Sequence, residues 1–231
     1  MNQRQNTNDP IGSPHPLPWN WVLSTHERVS STHGFGTSYY RSGHLISPDG
    51  AYAAYAQVEM QVDPKLHRSS LRSRLFVENR QTGEVQRVVP TSPIATSARA
   101  AIDATQMRGT ISLTIPLSWS RGGDRLLARQ FEGLFCSSEA TDYAVVWDGK
   151  QKRSTTLAPK KLNGGCAVLL GWSQAKSDRV LFRAGGLGLQ ERLVCAVDLG
   201  GSTVAANDDR PLLFGNPLNA ILDSSQVAPS F

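Results

Sequence analysis

The pattern of apolar and polar positions repeats three times between residue 43 and residue 206. In each copy a short apolar stretch meets a serine, a turn rich in Gly, Asp or Pro follows, and a second apolar stretch begins. Short apolar runs bounded by turn residues are typical of β-strands joined as hairpins. These first hairpins occupy residues 45–55, 117–128 and 170–182.

Each copy also contains a second hairpin further along the chain. A strand rich in β-branched and aromatic residues ends at Asn79, Asp148 or Asp198, and a glycine follows soon after. That combination is a common signature of a hairpin turn. The second hairpins occupy residues 75–89, 143–157 and 193–206. Two hairpins per copy predict about four antiparallel strands in each repeat and an all-β protein.

The clearest turn is the Ser-Pro-Asp-Gly sequence at residues 47–50. Proline fixes φ, Asp49 can bond back to its own backbone, and Gly50 accepts a positive φ. Together with the Tyr-Ala-Ala-Tyr stretch at residues 52–55, this motif resembles the signature of WD40-like (TolB-type, PD40) β-propeller repeats. The Trp-Ser sequences at residues 119–120 and 172–173 resemble degenerate copies. The resemblance implies propeller blades and no particular reaction.

Closure of such a propeller is an open question, because propellers usually have four to eight blades and only about three repeats are recognisable. Residues 19–42 could supply part of a fourth blade, and residues 211–214 could complete it as a closing strand. Two chains could instead form one ring, or an open propeller could be capped by a partner. We expect a partial or small propeller of about three to four blades, with incomplete closure favoured.

Composition changes the expectation at the two ends of the chain. Residues 1–18 contain four prolines and predict a flexible N-terminal segment, residues 19–214 form the repeat domain, and residues 215–231 are a C-terminal tail. Trp19, Trp21 and Leu23 alternate with other positions, which predicts a first strand that packs its rings on the core or docks onto a partner. The best helix candidate spans residues 97–108, where alanines and Ile102 form a short stripe.

The charge pattern singles out one basic segment. The chain carries 24 Lys and Arg against 19 Asp and Glu, a net charge of +5. Residues 65–74 hold Lys65, His67, Arg68, Arg72 and Arg74, and the repeat alignment predicts that they form a long loop. Such a loop can remain solvated, or can bind an acidic protein surface, phosphates or anionic lipid. Nucleic acid is the less favoured partner, because the segment lacks interleaved aromatic residues for base stacking.

No catalytic or metal-binding motif stands out in the sequence. It lacks the nucleophile elbow, the paired-histidine zinc motif and the phosphate-binding loop, and its five histidines are scattered. Cys136, Cys166 and Cys195 each lie beside apolar residues and predict buried thiols in a reducing compartment. We therefore expect no metal, no cofactor and no membrane span, and a cytoplasmic location.

The leading functional hypothesis is a non-enzymatic protein-binding or assembly module. The candidate binding residues are the basic residues of the 65–74 segment together with Trp19 and Trp21. An open sheet edge offers a route to a protein partner or to self-association by strand addition. The alternative is a hydrolase or lyase with its active site at the centre of the propeller, where polar residues from different blades would have to converge.

Overall fold

A computed structural model describes residues 9–100, 107–160, 166–185 and 193–218. Over these residues the protein consists mainly of antiparallel sheets, with two helices. The helices are α1 (Trp19–Thr32) and α2 (Pro93–Ala100), and a single 3-10 turn covers Leu66–Arg68. A first strand, β1 (Gly36–Arg41), precedes the repeats. This confirms the expected all-β class.

The repeats form three four-stranded units. The first unit contains β2 (His44–Ile46), β3 (Tyr52–Val62), β4 (Ser70–Asn79) and β5 (Val85–Val88). The second contains β6 (Thr110–Trp119), β7 (Arg125–Leu134), β8 (Ala140–Asp148) and β9 (Arg153–Leu157). The third contains β10 (Cys166–Ser173), β11 (Arg179–Gly185), β12 (Leu193–Asp198) and β13 (Thr203–Ala205).

Within each unit every strand pairs antiparallel with the next one, as the repeat pattern predicts. The first and second units are also joined into one sheet, because Leu71 and Arg72 of β4 pair in parallel with Ile111 and Ser112 of β6. β1 adds to the free side of β3 and so extends the first unit. Residues 36–41 therefore add a strand to an existing sheet.

A serine holds the first turn of every unit. The Ser47 hydroxyl donates to Asp49 Oδ1 at 2.5 Å and accepts the Tyr52 N–H at 2.9 Å. Ser120 does the same with Asp124 and Arg125, at 2.9 and 3.1 Å. Ser173 accepts a hydrogen bond from the Lys176 N–H and donates one to Asp209, a residue that lies beyond the turn. The serine shared by the three sequence repeats thus has one structural role, to close the hairpin.

Apolar faces of neighbouring units pack against each other. Between the first and second units, Leu75 and Val77 lie in one cluster with Trp119, Val145 and Trp147. Between the second and third units, a second cluster joins residues from both sheets: Leu127, Ala144, Val146, Leu169, Phe182 and Val197. A third cluster lies under α1 at the far ends of β3, β6 and β7. Burial of these side chains supplies the main driving force for the fold.

The C-terminal segment, residues 211–218, crosses all three units. Its strand β14 (Pro211–Leu212) pairs with β10, Phe214 forms a bridge to Trp119 of β6, and β15 (Asn216–Leu218) pairs with β2. The contacts fall at equivalent repeat positions: Leu212 opposite Trp172, Phe214 opposite Trp119, and Asn216 opposite Ile46. One extended segment therefore touches the first strand of each unit in turn.

Two secondary-structure predictions were wrong. Trp19–Leu23 begins helix α1, because Val22, Thr25 and Val29 are buried on one helical face. The stretch of residues 65–74 is half turn and half strand, because Arg72 and Arg74 lie in β4. The predicted helix at residues 97–108 coincides with α2 over residues 97–100, and residues 101–106 lie outside the described part of the chain.

The prediction of buried thiols is confirmed at Cys195 and is wrong at Cys136. All three thiols are free, and Cys195 is buried in the third unit. Cys166 is partly exposed, and Cys136 is exposed in the turn after β7, where its φ is 60°. The apolar neighbours of Cys136 include Phe135, which packs into the core while the thiol points outward.

Candidate functional site

A cleft of about 670 Å³ opens between α1, the N-terminal segment and the ends of the second and third units. Its volume falls in the range of typical ligand sites. The lining is mostly apolar and comes from several elements: Ile11, Trp19, Leu66, Ile111, Phe131, Phe135 and Val168. Cys136, Cys166 and Arg183 add the more polar part of the wall.

The predicted binding residues divide between two surfaces. Trp19 lines the cleft, and Lys65, His67 and Arg68 flank Leu66, which also lines it. The turn of residues 65–68, which we call the basic turn, therefore reaches the cleft lined by Trp19 through one residue, Leu66. Arg72 and Arg74 lie instead on β4, beside Tyr39 and Glu59, away from the residues that line the cleft. Trp21 packs on Tyr40 with their ring centroids 5.5 Å apart and does not line the cleft.

Aromatic stacking shapes one wall of the cleft. The Trp19 ring lies 6.1 Å from the Phe135 ring, at an interplanar angle of 29°. Phe135 is held in turn because its backbone N–H donates to the Gly109 carbonyl at 2.8 Å. The first turn of α1 and the turn after β7 thus present their rings together, although they are far apart in sequence.

Residues 10–12 also line the cleft, and the buried carboxylate of Asp9 fixes them. Asp9 is 8% exposed and accepts the backbone N–H groups of Ile11 and Ser13, at 3.2 and 3.0 Å. Its Oδ2 also accepts Arg129 Nη1 at 2.6 Å. Arg183 adds a bond from Nη2 to the Gly12 carbonyl at 2.8 Å. The N-terminal segment is therefore tied to the second and third units beside the cleft.

Arg129 is the centre of this buried cluster. It is 1% exposed, and its Nε donates to Asp142 Oδ1 at 2.8 Å while Nη1 also donates to the His15 carbonyl. Burial acts to lower the pKa of Arg129, but the two carboxylates outweigh it, so the pKa is raised. Asp142 Oδ2 accepts the Leu169 N–H from the third unit at 3.0 Å. The cluster thus links three parts of the chain through charged hydrogen bonds.

The pKa values of the two carboxylates in the cluster are shifted in opposite directions. Burial raises the pKa of Asp142 to about 6, although Arg129 and the Leu169 N–H oppose the rise. Burial also acts to raise the pKa of Asp9, but Arg129 and the two backbone N–H donors outweigh it, so the pKa is lowered. One guanidinium does not fully compensate two buried charges, and Asp9 receives more hydrogen bonds. Asp142 is therefore the member that takes up a proton first.

Basic residues lie beside the cleft: Lys65, His67 and Arg68, which we call its basic rim, neighbour Leu66 in the chain and do not line the cleft themselves. Lys65, His67 and Arg68 are exposed, and the Asp63 carboxylate near them accepts the Lys65 backbone N–H at 2.9 Å. Arg183 adds a further cation within the lining. An apolar floor with cations at its edge is complementary to an apolar group carried by an acidic molecule.

The cleft continues into a second depression of about 390 Å³. The two share Gly133, Leu134, Ser138, Ala140 and Cys166, and the second also borders Tyr143 and Glu139. Glu132 lies in its wall and is buried, with its carboxylate accepting the Ser92 hydroxyl at 2.6 Å and the N–H groups of Ile94 and Ala95 at the start of α2. Glu132 therefore caps a helix, which leaves it poorly suited as a catalytic base.

Sequence reasoning missed the cluster of Asp9, Arg129 and Asp142. Alternation puts Arg129 on the same side of β7 as Leu127 and Phe131, which predicts an interior position. A charge at such a position requires a buried partner, and that was the available signal. Its partners could not be identified, because Asp9 lies 120 residues away and in a segment expected to be flexible.

Comparisons with known proteins add no family to these observations. No family model matches the chain, and no curated protein matches it. Within the described residues no group of three or more His, Cys, Asp or Glu is placed to hold a metal ion. Neither helix in the described ranges is long and apolar enough to span a membrane.

Proposed function

We propose that this protein is a non-enzymatic binding module that holds an acidic segment of a partner protein, with an apolar side chain in the 670 Å³ cleft. The observation that carries the proposal is the combination of an apolar floor and a basic rim. Trp19 and Phe135 supply stacked aromatic rings, and the basic residues stand next to Leu66. Buried aromatic contacts ringed by charge are typical of protein recognition sites.

A peptide segment suits the site better than a compact small molecule. The cleft runs on into the second depression past Ala140 and Cys166, which makes an elongated groove. Two carboxylates near the groove are used internally, since Asp9 binds Arg129 and Glu132 caps α2, while Glu139 is exposed at the second depression. An extended chain can place its acidic groups on the rim while one side chain enters the cleft.

The proposed scaffold is a partial propeller of WD40-like (TolB-type) repeats. Three observations support it: four-stranded antiparallel units, an equivalent serine turn in each unit, and face-to-face packing of neighbouring units. The joined ladder between β4 and β6 is a departure from separate blades. Rigid repeated sheets would hold the cleft walls in place while the connections carry the binding residues.

The alternative of an enzyme centred on the propeller gains no support from the geometry. Such an enzyme needs converging polar groups where the first strands of the units meet. The chain's own segment of residues 211–218 lies along those strands. The charged cluster at Arg129 is buried and internally hydrogen-bonded.

Binding of defined peptides tests the proposal. Fluorescein-labelled 12-residue peptides with a central Phe between Asp and Glu residues should bind with measurable fluorescence anisotropy. Replacing the central Phe by Ala, or the acidic residues by Lys, should weaken binding about tenfold or more, since each removes one recognised feature. The double variant Lys65→Glu, Arg68→Glu should lose affinity for the acidic peptide.

Lys176→Glu is the matched control, because this exposed lysine lies on the third unit's turn and does not line the cleft. It should bind the acidic peptide like the unchanged protein. Equal binding of the Phe and Ala peptides would show that the cleft takes no side chain. Absence of binding to every peptide would refute the proposal.

A further inference from the structure

The first unit has a solvent-facing side distinct from the cleft. Along β4 the buried positions Leu71, Leu75 and Val77 face the core, so Arg72, Arg74 and Phe76 face outward. Along β3 the outward positions are Tyr55, Gln57 and Glu59. We call this side, formed by the outward residues of β1 to β5, the outer face of the first unit.

Aromatic rings and arginines alternate across the outer face. Strand register places Tyr55 opposite Phe76 and Phe76 opposite Arg87. In the next row, Gln57 lies between Arg41 and Arg74. A third row holds Tyr39, Glu59 and Arg72. Each row that holds an aromatic ring therefore also holds one arginine, and the row between them holds two.

Aromatic rings on the outer face contact one another: Tyr55 stacks with Phe76, and His44 is tilted against Tyr55 at an interplanar angle of 59°. Tyr55 and Phe76 lie 5.4 Å apart between centroids, at an interplanar angle of 24°. The His44 ring lies 5.0 Å from Tyr55, and the Arg41 guanidinium carbon lies 4.1 Å above the Tyr55 ring. Phe76 is partly exposed, and Tyr39 is 53% exposed. The stack thus offers planar groups to solvent at both Arg41 and Phe76.

The charge on this face is positive. Four arginines stand on it, Arg41, Arg72, Arg74 and Arg87, against the two glutamates Glu59 and Glu78. Glu59 is held by Arg72 at 2.5 Å. Burial and Arg41 lower the pKa of His44, which favours the neutral form of its ring. An anionic partner with planar groups fits both properties.

We propose that the outer face of the first unit binds single-stranded nucleic acid. Its bases would stack on Phe76, Tyr39 and the Arg41 plane, and its phosphates would contact the arginines. The sequence of residues 65–74 alone disfavours nucleic acid, because this segment contains no aromatic residue for base stacking. In β4 the alternation puts Arg72, Arg74 and Phe76 on one side, and pairing with β3 inserts Tyr55. An acidic peptide matches the charge but not the aromatic stack.

Fluorescence anisotropy with labelled 12-nucleotide oligo(U), oligo(dT) and a duplex of equal length tests this proposal. Both single strands should bind, and the duplex should bind more weakly because its bases are already stacked inside it. Affinity should fall with salt, with a slope of about −0.7 per phosphate contact. Arg74→Gln should make that slope shallower by about 0.7.

Phe76→Leu separates stacking from charge. It keeps an apolar side chain on the sheet and should weaken single-strand binding about tenfold without changing the salt slope. Tyr39→Leu, at a more exposed position, should also weaken single-strand binding. It replaces Phe76→Leu as the test of stacking if Phe76→Leu lowers the melting temperature. Lys176→Gln, which removes a positive charge elsewhere, should leave the affinity unchanged.

Three results would overturn the proposal. One is the absence of single-strand binding at low salt. Another is unchanged affinity in both aromatic variants, which would show a general polyanion surface. The third is equally tight binding of a labelled poly-glutamate peptide that Arg74→Gln weakens, which would assign the face to an acidic protein partner.

Discussion

At the scale of single residues, the cluster around Arg129 shows how one buried charge organises a site. Arg129 joins the N-terminal segment through Asp9 and the third unit through Asp142, which also accepts the Leu169 N–H. The cluster holds residues 10–12 in place as a wall of the cleft. A guanidinium suits this task because it donates in several directions from one plane.

Arg129→Met should therefore destabilise the protein by about 3–5 kcal/mol, since it leaves buried carboxylates without a counter-charge. Urea denaturation followed by tryptophan fluorescence measures the change. Arg72→Met is the matched control: Arg72 pairs with Glu59 but its side chain is 43% exposed, so we expect a loss of about 1 kcal/mol or less. Equal losses in the two variants would contradict a central role for the buried cluster.

At the scale of elements, the unit is the four-stranded meander closed by its serine turn. Ser47, Ser120 and Ser173 each accept a backbone N–H and donate to an aspartate. The aspartate comes from within the turn in the first two units and from Asp209, much later in the chain, in the third. The same hydrogen bonds thus form in all three units, although the aspartate of the third unit comes from another part of the chain.

Alanine at any of the three serines should cost about 1 kcal/mol or somewhat more, because it leaves a turn N–H and a carboxylate oxygen unpaired. Thermal or urea unfolding of the three variants measures the effect. Ser30→Ala provides the control, since Ser30 lies on α1 with only a local contact to the Glu27 carbonyl at 3.4 Å. If only one turn variant differed from that control, the three turns would not be equivalent.

At the scale of the whole molecule, the segment of residues 211–218 connects the three units. Gly215 has a φ of +112° and lies between Phe214, which bridges to Trp119, and Asn216, which pairs with β2. A Cβ there would stand 2.9 Å from both the Ile46 carbonyl oxygen and Trp119 Cδ1. This position therefore requires glycine for its conformation and also for space.

Gly215→Ala should destabilise the protein by more than about 1 kcal/mol and should raise hydrogen exchange at β2 and β15. Gly83→Ala is a close control, because Gly83 also has a positive φ, +72°, but a Cβ there meets nothing within 4 Å. The excess cost at Gly215 over Gly83 measures the clash with the two units. A similar loss of stability in the two variants would show that residues 211–218 shift to make room for the added Cβ.

The sequence by itself determined the local structure of the repeats. Period-two alternation and turn residues predicted the paired strands from residue 44 to residue 205, because these signals depend only on neighbours in the chain. They fail at residues 19–23, where a short Trp alternation fits strand and helix alike. They also fail at residues 70–74, where the sequence predicts a loop and the structure has strand β4.

Only the tertiary structure decided what these strands form together. The Asp9–Arg129 pair, the cleft between α1 and the third unit, and the segment across all three units each join residues distant in sequence. No local pattern encodes such contacts, since they depend on how whole sheets pack. The outer face is an intermediate case: β4 already contains alternate Arg72, Arg74 and Phe76, but register with β3 was needed to place Tyr55 beside them.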